Sequence, residues 1–460
     1  MTKGPSKNKV PFWASDDGQL WSVLTGPNDA IALPRLLQCL GLLCLLLSGC
    51  ASYTEETKEI RSAYRADNYD EALKKLDSSS LKEASKNRLL YRLERAMILD
   101  RMGEHNKSRA LLIEADKVAD ELYTTSITAT AASFIVSESS ADYSGEDYEK
   151  VAIHTVLALS FIGSGDLSAA GVEARKINNK LAELNQKYDE HKNRYADDAF
   201  ARYLSAIIYE ALNEPDSAII DYKKALDNYR TNFAAFVRGG VPDGLVRAYY
   251  RLLVRRNRND QLSQLEREFA KETQLAKQDL AAPDMGQVVV IHEIGHIATK
   301  SAAEFFFPFG KQLIRFSFPV INKTRHDYIG PTGVSDEQSH QTATADNAED
   351  LDAIARFSLE DRKARLILKS GARLIAKGQI TEQAYKNFGL LGGLAANVFA
   401  FVTETADTRS WTLLPSGFYV SRLRLKPGAH TLRIQTSGRL GKIEKVSIKK
   451  GEVLILRDVG

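Results

Sequence analysis

Glu214-Pro215-Asp216-Ser217-Ala218-Ile219-Ile220-Asp221-Tyr222-Lys223-Lys224-Ala225-Leu226 decides how the front half of the chain is read. Proline fits the first helical position, where its missing N–H is not needed and its fixed φ is already helical. Apolar residues then recur at three- and four-residue spacing, with Ala218 and Ala225 where a second helix must come close. The same grammar repeats upstream. Asp67-Asn68-Tyr69-Asp70-Glu71-Ala72-Leu73 is a tight polar turn entering a helix, and Gly103-Glu104 opens a unit through Ala110, Leu111 and Ala115. Gly165-Asp166-Leu167 opens another through Ala169, Ala170 and Ala174, and a weaker fifth turn sits at Asn257-Arg258-Asn259. From Thr54 to about Lys277 this spacing predicts helix after helix.

These units resemble the second helix of tetratricopeptide repeats. Their turns fall at 67, 103, 165, 214 and 257, not at a steady interval of about 34 residues. The array is therefore irregular, with insertions such as the Ser/Thr/Ala-rich stretch Thr124 to Gly145. A stacked solenoid buries contacts between neighbours and leaves a concave face free for a partner. A generic helical bundle is the alternative.

Pro283 to Gln287 marks a change of character. Val288-Val289-Val290-Ile291 and Leu313-Ile314-Arg315-Phe316-Ser317-Phe318 read as strands, followed by a polar loop from Asn322 to Thr344. Asp350 to Asn387 is amphipathic, with Leu351, Ile354, Phe357, Leu366, Ile367, Leu374 and Ile375 on one side and Lys and Arg crowding the other. Phe388 to Val402 is apolar with Gly389, Gly392 and Gly393, too short to span a bilayer, and reads as a buried helix; a membrane-touching hairpin is the minority reading. Short strands close the chain: Phe418–Leu425, Ala429–Gln435, Lys442–Ile448 and Val453–Arg457. The expected fold class is α+β: a tetratricopeptide-like helical array over 50–282, then a small β-sandwich over 283–460, similar to PEGA-type envelope modules, with a helical insertion at about 346–405.

Leu36 to Leu47 is a hydrophobic run of signal-peptide length, and Leu47-Ser48-Gly49-Cys50 closes it. This resembles the lipobox of bacterial lipoproteins, which implies that residues 1–49 form a leader and that Cys50 carries the lipid. Several acyl chains at about 0.8 kcal/mol per buried CH₂ would make such an anchor permanent. Ala51 and Ser52 follow the cysteine where that family uses Asp for inner-membrane retention, which points to the outer membrane. Cys39 and Cys44 leave with the leader, so neither a disulfide framework nor thiolate metal ligands are expected. The residues ahead of Arg35 carry no hydrophobic pattern and read as an early start assignment or as an extended leader. The charge balance, 62 Lys+Arg against 59 Asp+Glu, gives no reason to expect nucleic acid.

Glu146-Asp147-Tyr148-Glu149-Lys150-Val151, Gly165 to Arg175 and Ala406-Asp407-Thr408-Arg409-Ser410-Trp411 together resemble an uncharacterised family of Gram-negative lipoproteins with a tetratricopeptide-like front and a β-rich tail. That resemblance implies an envelope location and a non-catalytic build, with peptidoglycan assembly as a hinted setting. It brings no established activity.

His292-Glu293-Ile294-Gly295-His296 matches HExxH, which on a helix sets two His on one face to hold zinc while the Glu activates a water. Thr299 and Ala302 stand where the extended metzincin form needs Gly and His, and Glu349 is a weak candidate for a gluzincin's third ligand. Four β-branched residues precede the motif, so a strand running into a glycine turn is the preferred reading. His154 and His430 read as packed side chains, and Asp407 with Arg409 as a pair or helix cap. No Ser/His/Asp arrangement, phosphate loop or nucleotide fingerprint occurs. The expected function is a lipid-anchored, non-enzymatic adaptor, without cofactor, facing the periplasm and binding an envelope protein through its helical groove. The alternative is an HExxH zinc metallopeptidase.

Overall fold

A computed structural model describes residues 52–127, 138–187, 195, 197–231, 233–235, 240–309, 312–322, 331–402, 405–437 and 439–459. Cys50 and its leader lie outside the described residues. The five turns quoted above are five left-handed residues: Asp67, Gly103, Gly165, Asn213 and Asn257, with φ of 57, 80, 77, 59 and 55°. At each, the next N–H reaches back across the helix end: Asn68 to Ala63, Glu104 to Leu99, Asp166 to Phe161, Glu214 to Tyr209 and Arg258 to Leu253, at 2.8–3.0 Å. This is the Schellman closure, which satisfies a carbonyl the helix would otherwise leave open. Only Gly, Asn and Asp occupy the left-handed position, because other side chains strain there.

Each turn joins two helices. The pairs are α1 (Lys58–Arg65) with α2 (Tyr69–Asp77), α3 (Arg88–Arg101) with α4 (His105–Ile127), and α5 (Asp147–Gly163) with α6 (Leu167–Lys187). Next come α7 (Ala199–Ala211) with α8 (Pro215–Arg230), and α9 (Asp243–Arg255) with α10 (Asn259–Glu268), closed by α11 (Ala270–Leu280). Second helices start on caps: Asn68 accepts the Glu71 N–H at 3.3 Å and Asp166 the Ala169 N–H at 2.9 Å. Ala72, Ala115, Ala170, Ala174, Ala218 and Ala225 are fully buried, as close helix pairing requires.

The strands are β1 (Gly286–Ile294), β2 (Lys300–Phe309), β3 (Gln312–Ile321), β4 (Gly333–Asp336), β5 (Thr342–Thr344), β6 (Asp346–Asp350), β7 (Gly417–Leu425), β8 (Gly428–Gln435), β9 (Lys442–Ile448) and β10 (Val453–Val459). One sheet has the order β10-β1-β7-β6, with β10 parallel to β1. A second runs β5-β4-β8-β9, and β2–β3 stand as a separate two-stranded sheet. Alternation along β1 explains the layering. Val288 and Val290 point into a core shared with Val334, Leu423, Leu432, Ile434 and Ile448, between the two four-stranded sheets. Val289 and Ile291 point the other way, into the core of the helices. A strand covered on both faces reads as one apolar run, and each such side chain contributes roughly 1.5–3 kcal/mol.

The sheet therefore lies on the helices, and the expectation of a free concave face is corrected here. The first helices of the pairs carry most of the contact, as where Phe200 of α7 stacks on Phe418 of β7 at 4.5 Å; from α8, a second helix, the Tyr229 hydroxyl adds a hydrogen bond to the Ala348 carbonyl of β6 at 2.7 Å. The surface expected for a partner holds the chain's own sheet.

Elements missed from the sequence are short or interrupted. Phe305-Phe306-Phe307-Pro308 continues β2, where proline is tolerated in a two-stranded sheet. The polar loop holds β4 and β5, and β6 occupies the first residues assigned to the insertion. That insertion is α12 (Leu351–Val402), broken at Gly389 with φ 63° and ψ −154°. A Cβ on Gly393 would lie 2.2 Å from the Tyr385 ring, so the chain reverses at Gly389 and its two helices touch through glycine. Among the described residues no helix is long and apolar enough to cross a membrane.

Candidate functional site

The HEIGH segment ends β1. His292 is fully buried, its Nδ1 3.0 Å from Thr436 Oγ1 and 3.1 Å from Asp458 Oδ2, its Nε2 2.9 Å from Ser421 Oγ. Glu293, on the opposite face of the strand, is held between Arg101 of α3 (2.8 Å) and Arg457 of β10 (2.5 Å). Gly295 turns the chain at φ 64°, and His296 then lies edge-on against Tyr64 at 5.7 Å between ring centres. Burial, then Arg65, Arg101 and Arg439, push the His296 imidazole down to about 4. The two imidazoles thus occupy separate surroundings, as strand geometry dictates. Glu349 sits elsewhere, on β6 near Asp198; burial raises both carboxyls. Among the described residues no group of three or more His, Cys, Asp or Glu is placed to hold a metal ion.

A buried polar seam between helices and sheet draws in Asp407 and Arg409. The segment from Ala406 to Ser416 leaves α12 and runs between helices, with Thr408 to Leu414 all buried. From Trp411 to Leu413 its backbone joins no sheet ladder, so side chains supply the partners. The Trp411 N–H donates to Glu149 Oε1 at 2.7 Å, and the Thr412 and Leu413 N–H groups donate to the two oxygens of Glu94 at 2.7 and 3.1 Å. Tyr53 donates to Glu94 at 2.9 Å and Tyr143 to Glu149 at 2.7 Å. Burial pushes the Glu94 carboxyl up to about 7, against the pull of these donors. Arg409 pairs with Asp407 at 2.7 Å and donates to the Ala141 and Glu138 carbonyls at 2.8 and 2.9 Å. Glu146 caps α5 and receives Lys300 and Arg362; burial opposes them, but the two cations hold it down at about 2.

The seam spends its carboxylates on backbone N–H groups and guanidinium ions, which makes it a latch. Glu149 and Trp411 stand out in the sequence only inside segments carrying a family resemblance, the expected pairing of Asp407 with Arg409 is present, and Glu94 was given no role. In Leu89-Leu90-Tyr91-Arg92-Leu93-Glu94-Arg95-Ala96 the neighbouring Arg92 and Arg95 are charged too, so nothing local singles Glu94 out. His154 is clamped by Glu173 at 2.9 Å and Asp116 at 3.3 Å; burial opposes protonation, yet these carboxylates hold it above its ordinary value. His430 bridges Asp336 at 3.1 Å and the Lys426 carbonyl at 2.8 Å.

Away from the seam, Phe305 and Phe306 on β2 are 55% and 53% exposed, and α12 exposes Ile375 and Ile380. Phe305 stacks on Phe318 at 5.7 Å, with Lys363 of α12 lying 5.6 Å over the Phe318 ring.

No family model matches the chain, and no curated protein does. Among solved structures it is similar to a putative kinesin light chain of Podosopora anserina with nearly identical TPR-like repeats, at 14% identity over 49% of this chain and 94% of that one, with a TM-score of 0.29. So low a score adds nothing to the paired helices, which rest on their own hydrogen bonds.

Proposed function

We propose that the chain is a lipid-anchored, non-enzymatic adaptor of a bacterial outer membrane, facing the periplasm, that docks another envelope protein in the setting of peptidoglycan assembly. The lipobox-like Leu47-Ser48-Gly49-Cys50 supports the anchor. The docking surface is the β2–β3 sheet and not the helical groove, because the groove carries the chain's own sheet. One observation carries this choice: Phe305 and Phe306 stay more than half exposed on a two-stranded sheet separate from the other two. Adjacent large aromatics in water are costly and mark interaction surfaces.

The test is crosslinking in intact cells from a photoreactive residue placed at 305, with buried Val289 as the control position. One envelope protein captured at 305, absent at 289 and lost in Phe306→Ser, is the expected result. The same capture from both positions, or none from 305, would overturn the docking surface.

A further inference from the structure

A polar cleft of about 600 Å³ lies where α9, α11, β5 and β7 meet, lined by Arg247, Arg251, Arg424 and Gln287 and also by Asp243, Asp346 and β5. Three guanidinium ions converge on one carboxylate. Asp279 takes Arg247 at 2.9 Å, Arg251 at 3.0 Å and Arg424 at 3.2 Å. Arg422, also in the wall, is already engaged by Glu210 at 3.2 Å and by the hydroxyls of Tyr203 and Tyr222 at 3.0 and 2.6 Å. The Asp279 cluster therefore keeps an excess of positive charge.

Gln287 supplies the second observation. Its Oε1 accepts from Arg251 at 2.7 Å, which fixes the amide and turns its Nε2 into the remaining donor. That nitrogen is buried, on a side chain 5% exposed, and has no hydrogen-bond partner. A buried donor without an acceptor costs about 1–3 kcal/mol, so an acceptor oxygen from a ligand would recover a real penalty. Two further carboxylates in the lining limit the charge such a ligand carries. Asp346 accepts the Gly244 N–H at 3.0 Å and lines the cleft together with Asp243, so a doubly charged phosphate would be repelled.

We propose that this cleft binds a carboxylate-bearing ligand, its carboxylate held by Arg247 and Gln287 Nε2. A small free carboxylate and a peptide C-terminus present the same group. A single carboxylate stays within the excess at the Asp279 cluster, where three guanidinium ions face one carboxylate, and the cleft has room for two or three residues of chain. The site does not depend on the lipid anchor or on the β2–β3 surface.

Titration calorimetry on the purified full chain tests this, with tri-alanine, its C-terminal amide and propionate as probes at constant ionic strength. Tri-alanine binding at least tenfold tighter than its amide is expected. Two variants each weaken that binding at least tenfold: Arg247→Gln, which removes the half-exposed cation, and Thr344→Trp, which fills the cleft from β5 and leaves the arginine cluster intact. Propionate binding as well as tri-alanine assigns the site to free carboxylates, and tri-alanine alone assigns it to peptide C-termini. Heat from none of the probes, equal binding of the amide, or unchanged binding in both variants overturns the site.

Discussion

Thr412 donates twice to Glu94: its backbone N–H and its hydroxyl each reach Oε1 at 2.7 Å. Glu94 belongs to α3 of the array and Thr412 to the segment that leads into β7, so one side chain joins regions more than three hundred residues apart. Removing it orphans buried donors on Thr412, Leu413 and Tyr53. Glu94→Ala should therefore cost about 3–5 kcal/mol in urea unfolding, against less than about 0.5 for exposed Glu104→Ala. Because the joint is shared, helix and sheet signals should also melt together in wild type. Separate transitions would show that the latch does not couple the two halves.

Acidity tests the same carboxyl. Burial raises Glu94 to about 7 from an ordinary 4.5, so the folded state holds this proton more tightly than the unfolded chain. Its contribution is most favourable below 4.5 and declines as pH rises through 7, by an amount on the order of 3 kcal/mol. His296 works in the opposite sense. With its pKa pushed down to about 4, it favours the fold above 6.5, and that support is lost as pH falls through 4. Wild-type stability mixes the two slopes across one window. Glu94→Gln should remove the first and His296→Gln the second, measured as urea midpoints from pH 4 to 8.

Glu293 gives the sharpest contrast with the peptidase reading. A general base would be catalytically essential and structurally dispensable, whereas this carboxylate is 2% exposed between two arginines. Glu293→Gln should destabilise the chain by about 2–4 kcal/mol, since it leaves Arg101 and Arg457 with an uncompensated buried charge. Purified protein is expected to carry no stoichiometric zinc by elemental analysis. One zinc per chain, lost in His292→Ala, would restore the metallopeptidase.

The paired helices were legible because each turn announces itself locally, through Asp67, Gly103, Gly165, Asn213 or Asn257 and the small residues that follow. The strands β1 and β7 to β10 were legible through β-branched runs and alternation. What was hidden is tertiary. Nothing in Val288-Val289-Val290-Ile291 says that one of its faces meets the helices, and Glu94 looks like any charged residue on a helix until Thr412 is brought beside it. β2 was hidden by Pro308, which normally ends regular structure, and β5 by its length of three residues. The cleft was invisible for the same reason: Arg251 and Gln287 are far apart in sequence and meet only where helix and sheet pack.

Lipid attachment at Cys50 is a claim about one sulfur atom. Only a thiolate is nucleophilic enough to accept the diacylglycerol at this step, so Cys50→Ser should leave an uncut, unlabelled precursor. Cells grown with a clickable fatty acid should show label in wild type and at least tenfold less in the variant, and fractionation should place wild type with outer membranes. Equal labelling of both forms, or a mainly soluble wild type, would remove the anchor from the proposed function.

Gly103 isolates what a left-handed turn demands. Its φ is 80° and a Cβ built there meets nothing within 4 Å, so a substitution is penalised by backbone strain alone. Gly103→Ala should cost about 1–2 kcal/mol. Asparagine holds the equivalent place at 213 and 257, where its short polar side chain tolerates the conformation, so Gly103→Asn should cost less than half as much. Gly295→Ala adds a collision to the strain, because its Cβ would lie 2.4 Å from Ser416 Oγ. The order expected in urea unfolding is Gly103→Asn mildest, Gly103→Ala next and Gly295→Ala most severe. A Gly103→Asn variant as damaged as Gly103→Ala would mean that the turns are set by packing against neighbouring helices and not by local backbone preference.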